Sequence, residues 1–392
     1  EMKKTLVAIA ALAATGAFAQ SSVQIDGIFD AGYQAINYKG NKVNGIDGNG
    51  SSTSQLNFRG TQDLGGGLKA DFRLESDFSV VSKNLNTGVA SSMNTTNPKA
   101  TNSIPSTWGN GEARVGLQSA TLGRIDLGAV NFNGITTTGT GQPFGTAVGS
   151  AYKGIYRVDT LASQIRDENA VKYTTPTFMG LTGTLYKSNK QTKAADNTTA
   201  NSSGLYTANQ ALVGANGTYD KVGSTEFGLN YANGPVAASY SQLKQDFASV
   251  GAGQAEAKLT TLGANYTLGA AKLFALYQTN KSNKDISAST AGTSIDTSAM
   301  MLSATYTTGN VVLMAGTGSI KADAGSVQAY GISGQKSKLN SLGADYNLSK
   351  TAAVYVRYES FKDDAKILAA AASIDGTDTK RTRTALGLRV AF

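Results

Sequence analysis

The 392 residues contain no cysteine and no histidine, which excludes disulfide scaffolds, thiol nucleophiles, Ser-His-Asp triads and histidine or cysteine metal centres. The 35 basic and 27 acidic residues give a net charge of +8, but they are scattered singly rather than gathered into the patch or tail of a nucleic-acid-binding protein. With 45 glycines and only 5 prolines, the chain is composed for strands and tight turns rather than for a disordered linker.

Lys3 and Lys4, the apolar run Thr5 to Ala14 and the small-residue motif Ala17-Phe18-Ala19 read as a secretory signal, so residues 1–19 are expected to be removed on export. That removal takes away Glu1, Lys3 and Lys4 and leaves a net charge of +7. Beyond residue 19 no apolar run approaches the length of a membrane-spanning helix. A membrane strand is still compatible, because it places its apolar residues at every second position.

Val23, Ile25, Phe29, Ala31 and Tyr33 alternate with Gln24, Asp26, Asp30 and Gln34, predicting a first strand. Leu56, Phe58 and Gly60 alternate with Gln55, Asn57, Arg59 and Thr61, and after the turn Asp63–Gly67 a long alternation places Leu68, Ala70, Phe72, Leu74 and Phe78 opposite Lys69, Asp71, Arg73, Glu75 and Asp77. Later the motif Phe227-Gly-Leu-Asn-Tyr231 recurs as Leu262-Gly-Ala-Asn-Tyr266, Leu302-Ser-Ala-Thr-Tyr306 and Leu342-Gly-Ala-Asp-Tyr346. Each copy precedes a short turn, which marks a repeated hairpin unit with one short and one long polar connection.

By this grammar strands fall near 22–37, 54–62, 68–79, 112–119, 124–132, 168–176, 181–188, 224–232, 236–246, 257–267, 272–280, 299–307, 311–319, 337–347, 351–361 and 381–392. The expected fold is all-β, a 16-stranded antiparallel transmembrane β-barrel over residues 20–392. Lipid cannot satisfy a free backbone amide, so a spanning sheet must close on itself. A soluble sandwich is the competing architecture, but sixteen strands would make it unusually wide, and the tyrosines before the turns sit where an interfacial aromatic belt would place them.

The last strand, Arg383 to Phe392, ends on an aromatic residue and resembles an outer-membrane insertion signal. Val23–Asp30, Ser51–Ala70, Ala170–Phe178 and the Leu-Gly-Ala-x-Tyr hairpins are similar to the trimeric general porins of the neisserial and beta-proteobacterial type. That resemblance implies an outer-membrane homotrimer among lipids including lipopolysaccharide, with water-filled pores for ions and small hydrophilic solutes. It also implies a third loop, here 133–166 with Pro143-Phe144-Gly145 similar to its tip, folded inward to narrow the channel; an ordinary outer loop is the alternative. Neither cofactor, metal nor nucleic acid is expected, nor is catalysis, since barrel proteases and lipases rely on histidine. An adhesive or solute-specific barrel has no motif here to support it.

The pore-constriction residues expected are Arg59, Arg73, Arg114, Lys153, Arg157 and Arg166. Arg166 matches a wall arginine of the relatives, whereas Gln55, Gly111-Glu112 and Ala129 stand where the relatives carry others. Parity over the first five strands sets Arg59, Lys69, Arg73, Arg114 and Arg124 against Asp26, Asp30, Asp71, Glu75, Asp77 and Asp126. Arg73 and Arg114 are therefore either substitutes for the missing arginines or partners of wall carboxylates. Near balance predicts weak selectivity, leaning towards anions with the overall charge.

Overall fold

The computed structural model describes residues 22–38, 41–81, 109–150, 165–189, 220–249, 253–282, 296–322, 336–362 and 380–392; the expected signal segment lies outside them. The strands are β1 (Ser22–Tyr38), β2 (Asn41–Gly48), β3 (Gln55–Gly65), β4 (Leu68–Asp77), β5 (Ala113–Ser119), β6 (Gly123–Asn131), β7 (Arg166–Thr174), β8 (Leu181–Ser188) and β9 (Asp220–Asn233). They continue as β10 (Val236–Ser249), β11 (Gly253–Leu268), β12 (Ala271–Ser282), β13 (Thr297–Thr308), β14 (Val311–Ala322), β15 (Lys336–Asn347), β16 (Ala352–Lys362) and β17 (Lys380–Ala391). One helix, α1 (Asn133–Gly141), follows β6.

Each strand pairs antiparallel with its neighbours, and β17 returns to β1, where Gly27 and Phe392 exchange backbone hydrogen bonds of 3.2 and 3.1 Å. Seventeen strands make a sixteen-staved barrel because β2 and β3 are one interrupted stave. β2 pairs with Ala31–Tyr38 and β3 with Ser22–Ile28, both along the same edge of β1. Asp30 holds the interruption: its carboxylate accepts the amides of Gly50, Ser51 and Ser52 at 2.9, 3.1 and 3.0 Å. β2 was not expected, since Asn41–Gly48 is rich in Asn, Gly and Asp, residues depleted from strands. Its pairing with β1 overrides that propensity.

Side chains alternate between two environments, as strand geometry requires. Leu127, Phe227, Leu262, Leu302, Leu342 and Leu388 belong to an exposed apolar set that girdles the barrel. The repeated tyrosines share it: Tyr266, Tyr306 and Tyr346 lie opposite Val236, Ala271 and Val311, the first residues after the preceding short turns. This inverted order, apolar outside and polar inside, is the one a lipid-embedded barrel needs.

Candidate functional site

The inward face of β3–β7 carries an ion-paired ladder. Cross-strand register places Arg59 opposite Arg73 and Arg73 opposite Arg114, three guanidinium groups in one row. Like charges so placed repel, and carboxylates two residues up or down the strands separate them. Asp26 takes Arg59 at 2.8 Å. Arg73 donates to Glu112 at 2.8 Å and also pairs with Glu75. Arg114 reaches Asp71 at 2.6 Å and Asp126 at 3.0 Å, and Arg124 shares both carboxylates at 2.6 and 2.5 Å. Arg166, at the start of β7, pairs with Glu75 at 3.3 Å and donates to Asn131 at 2.9 Å. These five arginines and five carboxylates cancel within the ladder.

Arg59, Arg73, Arg114 and Arg166 thus belong to one network, and of the two roles open to Arg73 and Arg114 the structure shows pairing with wall carboxylates. Lys153 and Arg157 lie outside the described residues. Glu112 lies against both central arginines, 2.8 Å from Arg73 and 3.7 Å from Arg114.

A second charged group, on β1, β15, β16 and β17, was missed because the parity count stopped at the fifth strand. Arg357 donates to Asp345 at 2.6 Å and to Ser51 at 3.1 Å. Arg381 pairs with Glu359 at 2.6 Å, both fully buried, and buried Arg383 reaches Gln34 at 3.4 Å. Parity would have found them: Arg381 and Arg383 alternate with Leu386 and Leu388 on the opposite face.

Residues 132–150 run across the wall between these groups, against side chains of the inward-facing set. Asn133–Gly141 is an unpromising helix, with four threonines and three glycines and no side-chain cap of its own. Glu226 on β9 supplies the cap, accepting the amides of Asn133 at 2.5 Å and Gly134 at 2.9 Å. Thr137 bonds Ser239 at 2.7 Å, and Asn265 donates to the Thr140 carbonyl at 2.8 Å. Gly263 permits this approach, since a Cβ there would lie 2.1 Å from the Thr137 carbonyl oxygen.

Beyond α1, buried Phe144 packs with Leu276, Met301, Met314, Leu339 and Phe361. Val148 sits with Tyr355, and Gly149 donates its amide to Glu359 at 3.0 Å. Sequence reasoning gave no sign of the helix, because its cap comes from a strand 93 residues downstream.

Residues 5–366 match the family model described as Gram-negative porin. The chain is 33% identical over 362 residues to outer membrane porin protein 32 of Delftia acidovorans, covering 90% of this chain and 88% of that one. Among solved structures, the anion-selective porin from Comamonas acidovorans superposes with a TM-score of 0.69 at 24% identity, over 95% of this chain and all of that one. A trimer form of the Vibrio cholerae outer membrane protein OmpT gives a TM-score of 0.60 at 13% identity, over 95% and 99% of the two chains.

Proposed function

The chain belongs to the Gram-negative porin family, of the neisserial and beta-proteobacterial type, and from its place there as an outer-membrane channel rather than an enzyme we propose that it is a general diffusion pore with weak anion preference. Ions and small hydrophilic solutes pass down their gradients through a water-filled lumen. Residues 133–166 form the constriction loop, held to the wall of β9–β16 by Glu226, Gly263 and Phe144. The eyelet lies between this loop and the arginine ladder, bounded by Arg59, Arg73, Arg114 and Arg166 and joined by Lys153 and Arg157 from the loop. Residues 1–19 are the export signal, and the barrel assembles as a homotrimer, as the trimer form of its Vibrio neighbour does.

The observation that carries this reading is the cancellation of charge within the ladder. Rings of charge set selectivity in a pore. Where each guanidinium lies within 2.5–3.3 Å of a carboxylate, a passing ion meets a row of short dipoles whose fields fall off quickly. Such a wall orders water and admits both signs. The remaining bias comes from the net charge of +7 after export, and it agrees with the anion selectivity named for the Comamonas neighbour.

Single-channel recording in planar bilayers under a salt gradient tests the proposal. The expected record shows steps in groups of three with a small reversal potential on the anion side. A record without steps overturns the diffusion pore, and a strongly cation-selective reversal potential overturns the account of the ladder.

A further inference from the structure

Arg383 on β17 is buried, only 2% exposed, and its Nε and Nη1 atoms have no hydrogen-bond partner. Its one hydrogen bond among the described residues is a long one, 3.4 Å from Nη2 to the side-chain oxygen of Gln34. A guanidinium brings five N–H donors into the wall, and buried donors in native proteins are satisfied by protein groups, water or a bound ion.

Cross-strand register sets Glu359 directly opposite Arg383. That carboxylate is already committed: Oε1 accepts Arg381 at 2.6 Å and Oε2 accepts the Gly149 amide at 3.0 Å. Asp47, buried on β2, accepts the Gly48 amide at 2.8 Å, and among the described residues no carboxylate lies within ion-pair distance of Arg383. At that range two guanidinium groups meet one carboxylate, and a buried charge left uncompensated is strongly destabilising. Water would satisfy the donors without removing the charge; an anion does both.

The surroundings limit its size. Gly45 on β2 is directly opposite Gln34 and so shares the inward face, and a Cβ there would meet no atom within 4 Å. This opens space beside Gln34. On the other flank Ile36, directly opposite Arg383, is buried, and Val148, Tyr355 and Ala385 close the next inward position along β17. A small anion with a single charge matches both the space and the surplus, and guanidinium N–H groups hold anions through charge-assisted hydrogen bonds.

We propose that Arg383, with the space beside Gln34, binds one monovalent anion of halide size. The bound anion leaves Glu359 to Arg381 and Gly149, and so keeps the end of the inward segment on the wall. The site stands on β1, β16 and β17, apart from the arginine ladder, and is independent of how the open pore selects ions.

Two measurements on the full-length protein test this. In crystals soaked in sodium bromide, anomalous scattering at the bromine edge should place one ion within hydrogen-bond reach of Nε or Nη1 of Arg383. In solution, at fixed urea and sodium concentrations, exchange of gluconate for chloride should raise the folded-to-unfolded ratio about tenfold for each tenfold rise in chloride above its dissociation constant, read from the electrophoretic mobility of unheated samples. R383M should remove that dependence, and R383K, which keeps the charge, should keep part of it. Water or no anomalous peak at Arg383, a wild-type ratio indifferent to chloride, or the same dependence in R383M would each overturn the inference. A bromine peak with no effect in solution marks an adventitious ion only and overturns it as well. The wild-type measurements need no variant, and neither readout uses conductance, so the diffusion-pore reading stands or falls separately.

Discussion

Arg73 and Arg114 face each other across β4 and β5, and both guanidinium groups turn to the same carboxylate, Glu112, at 2.8 and 3.7 Å. Glu112 places a negative charge between the two central positive ones. The ladder's neutrality depends on it.

Replacing Glu112 with glutamine keeps the side-chain shape and removes one negative charge from the wall. A unit charge about 8 Å from a passing ion in water contributes about 0.5 kcal/mol, with opposite sign for anion and cation, so the chloride-to-potassium permeability ratio should rise about fivefold at low salt. Reversal potentials of E112Q and wild-type channels under the same salt gradient check this. An unchanged value would show that the ladder does not face the ion path.

Gly263 lets α1 lie against β11. In G263A the added methyl group meets the Thr137 carbonyl, forcing the helix off the wall towards the lumen. Single-channel conductance should fall, with a stability loss of about 1–3 kcal/mol typical of overpacking. Conductance equal to wild type would contradict the placement of the loop in the pore.

The Glu359–Arg381 pair is fully buried, and Glu359 also accepts the Gly149 amide. Removing one partner leaves an uncompensated buried charge, at a cost of about 3–5 kcal/mol. E359Q and R381M should each lower the thermal transition of the folded barrel, followed by its heat-dependent electrophoretic mobility. The double variant E359Q/R381M should recover most of the loss; additive losses would sink the pairing account.

Phe392 closes the barrel by its backbone, through the hydrogen bonds with Gly27, and by its ring, which lies 6.0 Å from that of Phe29. F392A removes only the ring and should cost about 1 kcal/mol. Deleting Phe392 strips both hydrogen bonds at the seam, where lipid offers no replacement, and should reduce refolding yield far more than F392A. Similar yields from both would place the effect in the aromatic ring alone.

The stretches from Leu68 to Asp77 and from Leu262 to Tyr266 were legible as strands because alternation is a local property: a strand with one face in lipid and one in water must write that difference at every second residue. The closure of sixteen staves and the lipid-facing tyrosines followed from the same rule. Parity even placed Arg59, Arg73 and Arg114 on one face. What parity could not supply was register, and register alone brings Glu112 to Arg73, and Asp71 and Asp126 to Arg114. Likewise α1 is written in residues that disfavour helix, and Asn41–Gly48 in residues that disfavour strand. The first is held by a carboxylate on β9 and a bare glycine on β11, the second by the edge of β1 above Asp30. The sequence by itself determined the barrel, because lipid acts on each residue separately; only the tertiary structure decided which charges meet, because pairing energy belongs to residues far apart in the chain.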